Sequence, residues 1–132
     1  MTRTGVLILD DDRRLVVVSP VAEDLLGWRA RQVTGMDCRL VLDCRDSEGA
    51  SLCANCGADR ALTQREMTPT RHIQMADATG GYRAMNMTFW YLPPSGFIYQ
   101  PRVMAVFDAA AGAPNSATVE ASVSERERMR SD

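Results

Sequence analysis

Two short aliphatic runs, rich in β-branched residues, open the chain at Gly5 to Leu9 and Leu15 to Ser19, separated by Asp10-Asp11-Asp12-Arg13-Arg14. Such runs around a polar cluster predict two strands joined by a turn. Ser19-Pro20 has the form of a helix N-cap followed by proline at the first helical position. Glu23 and Asp24 come early in that helix, and Leu25-Leu26-Gly27 closes it. Trp28 to Gly35 predicts a further turn of helix with a glycine stop, and Ala54 to Gln64 a longer helix. In the second half the period changes. Arg71 to Ala76, Tyr82 to Leu92 and Gln100 to Ala109 predict strands, broken by Gly80-Gly81 and Pro93-Pro94-Ser95-Gly96. In the middle one, Met85, Met87, Phe89 and Tyr91 share one face while Ala84, Asn86, Thr88 and Trp90 share the other, so one face is expected to meet the core. Residues 1–109 therefore form one domain, and 110–132 a linker followed by a polar C-terminal helix over Ser116 to Arg130.

Composition narrows the possibilities. A chain of 132 residues, 45% apolar and 24% charged, fits one domain with a real core. The formal net charge of -2 is spread along the chain and offers no basic field for phosphates, so direct nucleic-acid binding is not expected. The apolar stretch near the start is too short for a secretory or membrane segment, which points to a cytoplasmic protein with no membrane contact.

The cysteines change the picture most. All four lie within nineteen residues, as Cys38-x5-Cys44-x8-Cys53-x2-Cys56. In a reducing compartment such a cluster suggests a metal, an iron-sulfur centre or a redox switch before structural disulfides. Cys-x2-Cys can wrap two sulfurs around one centre, and Cys38 and Cys44 complete a four-thiolate set suited to zinc or an iron-sulfur cluster. Structural zinc sites usually use two tight knuckles; the open Cys-x5-Cys favours the cluster. Arg39, Arg45 and Arg60 lie close enough in sequence to screen the thiolate charge. Reversible thiol-disulfide exchange and inert packing are further uses of the same side chains.

The order of elements resembles that of a PAS domain across roughly residues 5 to 109. The resemblance is carried by Gly5-Val-Leu-Ile-Leu-Asp, by Leu15-Val-Val-Val-Ser-Pro-Val-Ala-Glu-Asp-Leu-Leu-Gly-Trp, by Val33-Thr-Gly and by Val103-Met-Ala-Val-Phe-Asp108. It implies an α+β fold: a PAS-like five-stranded antiparallel sheet with short flanking helices, a cavity and a C-terminal helix. It also implies a sensory and dimerising role without enzymatic activity, in a homodimer or with a histidine kinase or transcription regulator acting in trans. The run Gly35-Met-Asp-Cys38-Arg39, then Cys44 and Cys53-Ala-Asn-Cys56, resembles cysteine-rich PAS modules of bacterial sensor and transcription-activator proteins. Some of those hold a [4Fe-4S] cluster that reports oxygen. The implied metal ligands are Cys38, Cys44, Cys53 and Cys56, sensing oxygen or redox state, with zinc or a thiol-disulfide switch as alternatives.

A second resemblance points to flavin. Gly35-Met-Asp-Cys38-Arg39-Leu40 is similar to the LOV photosensor loop Gly-x-Asn-Cys-Arg-Phe-Leu-Gln, which implies FMN and a cysteine adduct at Cys38. Asp37, Leu40, Val41 and Leu42 depart from that pattern, and of the ring-holding amides only Asn86 has a counterpart. A ligand-free PAS interaction module is the remaining alternative. His72, the sole histidine, begins a strand and is a poor haem ligand, and it leaves a Cys-His catalytic pair with nothing to orient it. Asp10-Asp11-Asp12 is expected to be a solvated turn.

Overall fold

The computed structural model describes residues 3–53 and 56–110; the expected C-terminal helix and most of its linker lie outside the described residues. The element order is β1 (Gly5–Leu9), β2 (Leu15–Val18), α1 (Pro20–Leu26), α2 (Ala30–Val33), α3 (Cys38–Leu42), α4 (Gly57–Gln64), β3 (Arg71–Ala76), β4 (Tyr82–Leu92) and β5 (Arg102–Ala109). The strands form one antiparallel sheet in the order β2-β1-β5-β4-β3. The expected α+β architecture is what the chain adopts. No described helix is long and apolar enough to cross a membrane.

Alternation decides which face of the sheet is covered. Leu7 and Leu9 on β1, Ile73 and Met75 on β3, Met85 and Met87 on β4, and Val103, Ala105 and Phe107 on β5 are buried beneath the helices. Their outward neighbours are half-buried or exposed, and Trp90 and Val17 lie among the exposed large side chains. The split expected for β4 is observed, with Met85, Met87 and Phe89 packed into the core or against it.

Caps join the short helices to the sheet. The Ser19 hydroxyl oxygen accepts from Ala22 N–H at 3.2 Å, capping α1, and from Val6 N–H at 2.9 Å, tying the cap to β1. Gly27 closes α1 at φ 81°, where its N–H donates to Glu23 O. The Glu23 carboxylate then accepts from Ala30 N–H at 2.7 Å, satisfying a free donor at the start of α2. The helix at Cys38–Leu42 was not expected: the Asp37 carboxylate caps it by accepting from Arg39 N–H at 2.9 Å. The helix expected from Ala54 begins at Gly57.

The β3–β4 turn is organised by a buried carboxylate. Asp77 Oδ1 accepts from the Thr79 hydroxyl at 2.6 Å, Thr79 N–H at 3.0 Å and Gly81 N–H at 3.1 Å, while Oδ2 accepts from Arg83 Nε at 2.9 Å. Burial alone would raise this carboxyl's pKa, but the bonds from Thr79, Arg83 and Gly81 outweigh it and hold the group below its usual value. A depressed carboxylate stabilises the fold above its unfolded pKa of about 4, and that contribution is lost as pH falls through the lower folded value. Asp77→Ala is expected to destabilise the domain by about 2 kcal/mol in denaturant titration, since it strands three donors and a half-buried arginine. Asp77→Asn is expected to flatten the acid limb of the stability profile below about pH 4.

Candidate metal or cluster site

The four cysteines come from different parts of the cover. Cys38 is the first residue of α3, Cys44 and Cys53 flank the loop that follows it, and Cys56 is the N-cap position of α4. The loop between Cys44 and Cys53 is folded by its own polar groups. The Asp46 carboxylate accepts from Glu48 N–H and Ala50 N–H, both at 2.9 Å, and Leu52 N–H donates to Cys44 O at 2.9 Å. Arg45 exchanges backbone hydrogen bonds with Gln74 at 2.9 and 2.8 Å, so this loop pairs with the edge strand β3.

These ties bring Cys38, Cys44, Cys53 and Cys56 onto one cavity of about 350 Å³, counting the solvent at its mouth. Leu9, Leu42, Ala58, Phe89 and Ala105 complete its apolar wall, with Arg39 at the rim. All four cysteines are free thiols. Cys38 and Cys56 are buried, Cys44 and Cys53 half-buried. Among the described residues no three His, Cys, Asp or Glu side chains are close enough together to hold a single metal ion. The four sulfurs therefore share a cavity without converging on one point.

Burial pushes the Cys38 thiol up to about 12, with the Cys56 sulfur adding to the effect and Arg13 opposing it. Burial raises the Cys44 thiol as well, reinforced by Cys53, Cys38 and Cys56. Cys38 and Cys44 are thus protonated at neutral pH, and any metal centre must displace their protons on binding.

The expected screening arginines are committed elsewhere. Arg39 bonds Asp37 through Nε at 2.9 Å, and its guanidinium holds that carboxyl down at about 2. Arg45 lies 3.1 Å from Asp43, bonds Gly49 O at 2.9 Å and stacks on Tyr82, whose hydroxyl also donates to Asp43. Neither Arg45 nor Arg60 lines the cavity. The cation beside a cysteine sulfur is Arg13, from the polar turn between β1 and β2. Its Nη1 lies 2.7 Å from Cys56 Sγ and 3.1 Å from Asp59 Oδ1, and its side chain is only 7% exposed. The one local signal was an arginine at the end of an aspartate-rich turn.

Apart from Cys38, the candidate residues for flavin or haem lie away from this cavity. His72 is exposed on β3. Asn86 reaches Asp108 at 3.4 Å across the outer sheet face, Thr88 bonds Thr70 at 2.7 Å, and Trp90 is exposed. Asp10 forms the expected turn, with its carboxylate accepting from Asp12 and Arg14 N–H, both at 2.9 Å.

Phe89 lines both the cysteine cavity and a neighbouring one, whose wall also includes Cys44, Cys56, Leu52, Thr68 and Ile73. Its ring rests on Gly57, where a Cβ would stand only 2.3 Å from the ring. The residue after Cys56 must therefore be glycine for the ring to lie there.

No protein-family profile matches the chain, and no curated protein matches its sequence. Solved structures do match. A fungal LOV domain photoreceptor is 16% identical with a TM-score of 0.64, the alignment covering 82% of this chain and 75% of that one. The PAS domain of nitrogen regulation protein NR(II) from Vibrio parahaemolyticus is also 16% identical with a TM-score of 0.64, covering 81% and 89%. A PAS domain from Colwellia psychrerythraea is 11% identical with a TM-score of 0.64, covering 81% and 86%.

Gly57→Ala is expected to displace the Phe89 ring and lower stability by about 1–3 kcal/mol, the usual cost of overpacking. Combining it with Phe89→Leu is expected to restore most of that loss; a thermal-denaturation double-mutant cycle measures the coupling.

Proposed function

This chain folds as a PAS domain, and we propose that it is a non-enzymatic sensory module that reads oxygen or redox state through an iron-sulfur cluster held by Cys38, Cys44, Cys53 and Cys56. The observation that carries this reading is that all four thiols line one cavity, although three separate segments supply them. The donor set fits the group. Four thiolates suit a [4Fe-4S] core, the remaining wall is apolar, and a guanidinium is buried against one sulfur. Zinc would draw its ligands to about 2.3 Å from a single ion, and no three candidate donors are that close among the described residues. A cluster distributes its ligands over several iron atoms and so accommodates sulfurs that share a wall without sharing a point.

When bound, the cluster supplies one-electron redox chemistry and lability toward oxygen. The chain's own residues do the rest. Leu9, Leu42, Phe89 and Ala105 surround the sulfurs with hydrocarbon. The backbone pair between Arg45 and Gln74 connects the Cys44 loop to β3, so a change in that loop reaches the sheet edge directly. Release of the thiols reorders this loop and shifts the equilibrium with a partner, whether a second copy of the chain or a histidine kinase or transcription regulator in trans. The thiols call for a reducing, cytoplasmic compartment.

Flavin is the second reading, favoured by the blue-light photoreceptors among the similar structures and by Cys38 on the cavity wall. Among the described residues no amide side chain lines that cavity, and Asn86 is on the opposite sheet face.

Purification without oxygen, followed by absorption spectroscopy and iron and sulfide analysis, tests the proposal. About four irons per chain and a visible absorption that bleaches in air are expected. A colourless, iron-free protein would overturn it, zinc at one equivalent would replace the cluster with a structural site, and a yellow, light-bleachable protein would favour flavin.

A further inference from the structure

We infer that Arg13 is a positioning residue for the cysteine centre, setting its reduction potential and mechanically joining it to the β1–β2 hairpin. The inference rests on the cluster reading above and goes beyond the ligand set.

The first observation is backbone conformation. Arg13 sits at φ 66°, in the left-handed region that a residue with a side chain seldom occupies. The Asp10 carboxylate and carbonyl build the turn before it, and Arg13 N–H donates to Asp10 O at 3.0 Å. Glycine or asparagine would suit this backbone better. An arginine here has to be explained by its side chain.

The second observation is where that side chain goes. The guanidinium is buried and spans Cys56 Sγ at 2.7 Å and Asp59 Oδ1 at 3.1 Å, while the Arg13 carbonyl accepts from Cys38 N–H at 2.8 Å. One residue of the β1–β2 turn thus contacts the first residue of α3 and the first turn of α4, each bearing a cysteine of the cavity. Arg39, the arginine that does line the cavity, is taken up by Asp37.

The third is charge. A buried guanidinium needs a compensating anion, and Asp59 is the only carboxylate ion-paired with it among the described residues, at 45% exposure. Four thiolates around a [4Fe-4S]2+ core carry about two net negative charges by formal counting, so Arg13 and the centre neutralise each other in part. Added electron density is stabilised by a neighbouring positive charge and by N–H donors to sulfur. Removing Arg13 makes reduction harder, and removing the Asp59 charge makes it easier. Because Arg13 is also the last residue of the turn, a change of charge at the sulfurs bears on the register between β1 and β2.

The test uses the full chain, purified without oxygen, as wild type, Arg13→Gln, Arg13→Lys and Asp59→Asn. The readouts are iron retained against a chelator and reduction potential by spectroelectrochemistry, where the electrode supplies the electron and no bond is made or broken. Arg13→Gln is expected to weaken iron retention about tenfold and to lower the reduced-to-oxidised ratio about tenfold at fixed potential, a shift of about 59 mV to the negative side. Arg13→Lys is expected to recover part of the potential, and Asp59→Asn to move it in the positive direction. A merely structural role would lower iron content in the variants without this opposition of sign. Should Arg13→Gln fail to fold, the exposed Asp59 still decides: an unmoved or negative shift in Asp59→Asn overturns the inference. Wild type and variants with equal potentials would overturn Arg13's role while leaving the cluster standing. Iron-free wild type would instead overturn the cluster, and this inference with it.

Discussion

The helices over the inner sheet face run from four to eight residues. Helices that short do not persist on their own in water, so the cover exists because individual polar groups pin its segments to the sheet and to one another. Ser19 pins α1 to β1, Glu23 pins α2 to α1, Arg45 and Gln74 pin the Cys44 loop to β3, and Arg13 pins α3 and α4 to the β1–β2 turn. Of these, Arg13 alone reaches a cysteine sulfur, Cys56 Sγ at 2.7 Å. It joins the sheet's start to two cysteine-bearing segments at once, so the arrangement of the sulfurs and the arrangement of the hairpin are not independent.

The same dependence explains why the site looks as it does. Apolar side chains of β1, β4 and β5 form its floor, and the thiols come from the cover, so the site lies at the contact between the sheet and its helical cover. Burial favours the neutral thiol at Cys38 and Cys44, while the neighbouring guanidinium favours negative charge. Hydrocarbon and guanidinium thus act on the sulfurs in opposite directions.

Much of the sheet was legible because the information is local. The alternation in β4 put Met85, Met87 and Phe89 on one face from sequence alone, and Ser19-Pro20 with Gly27 delimited α1 to the residue. The helix at Cys38–Leu42 was missed because the cysteines drew the segment toward a loop, although Asp37 followed by Leu40-Val41-Leu42 carried a cap and an apolar turn. The screening arginines were misassigned for another reason. Proximity in sequence suggested Arg39 and Arg45, but each has an acidic residue two positions before it, Asp37 and Asp43, and a near neighbour reaches a guanidinium before a distant sulfur does.

By itself the sequence determined the strands, the two faces of β4, the first helix and the identity of four thiols as a group, since each depends on spacing along a few residues. Only the tertiary structure decided that those thiols share one cavity, that Phe89 can lie on Gly57, and that Arg13 rather than a nearer arginine stands beside Cys56. Residues 13 and 56 are 43 positions apart, and they meet because the sheet order carries the β1–β2 turn under α4. No local preference for an arginine with positive φ foretells that contact; it follows from burying a charge where sulfur and carboxylate can both receive it.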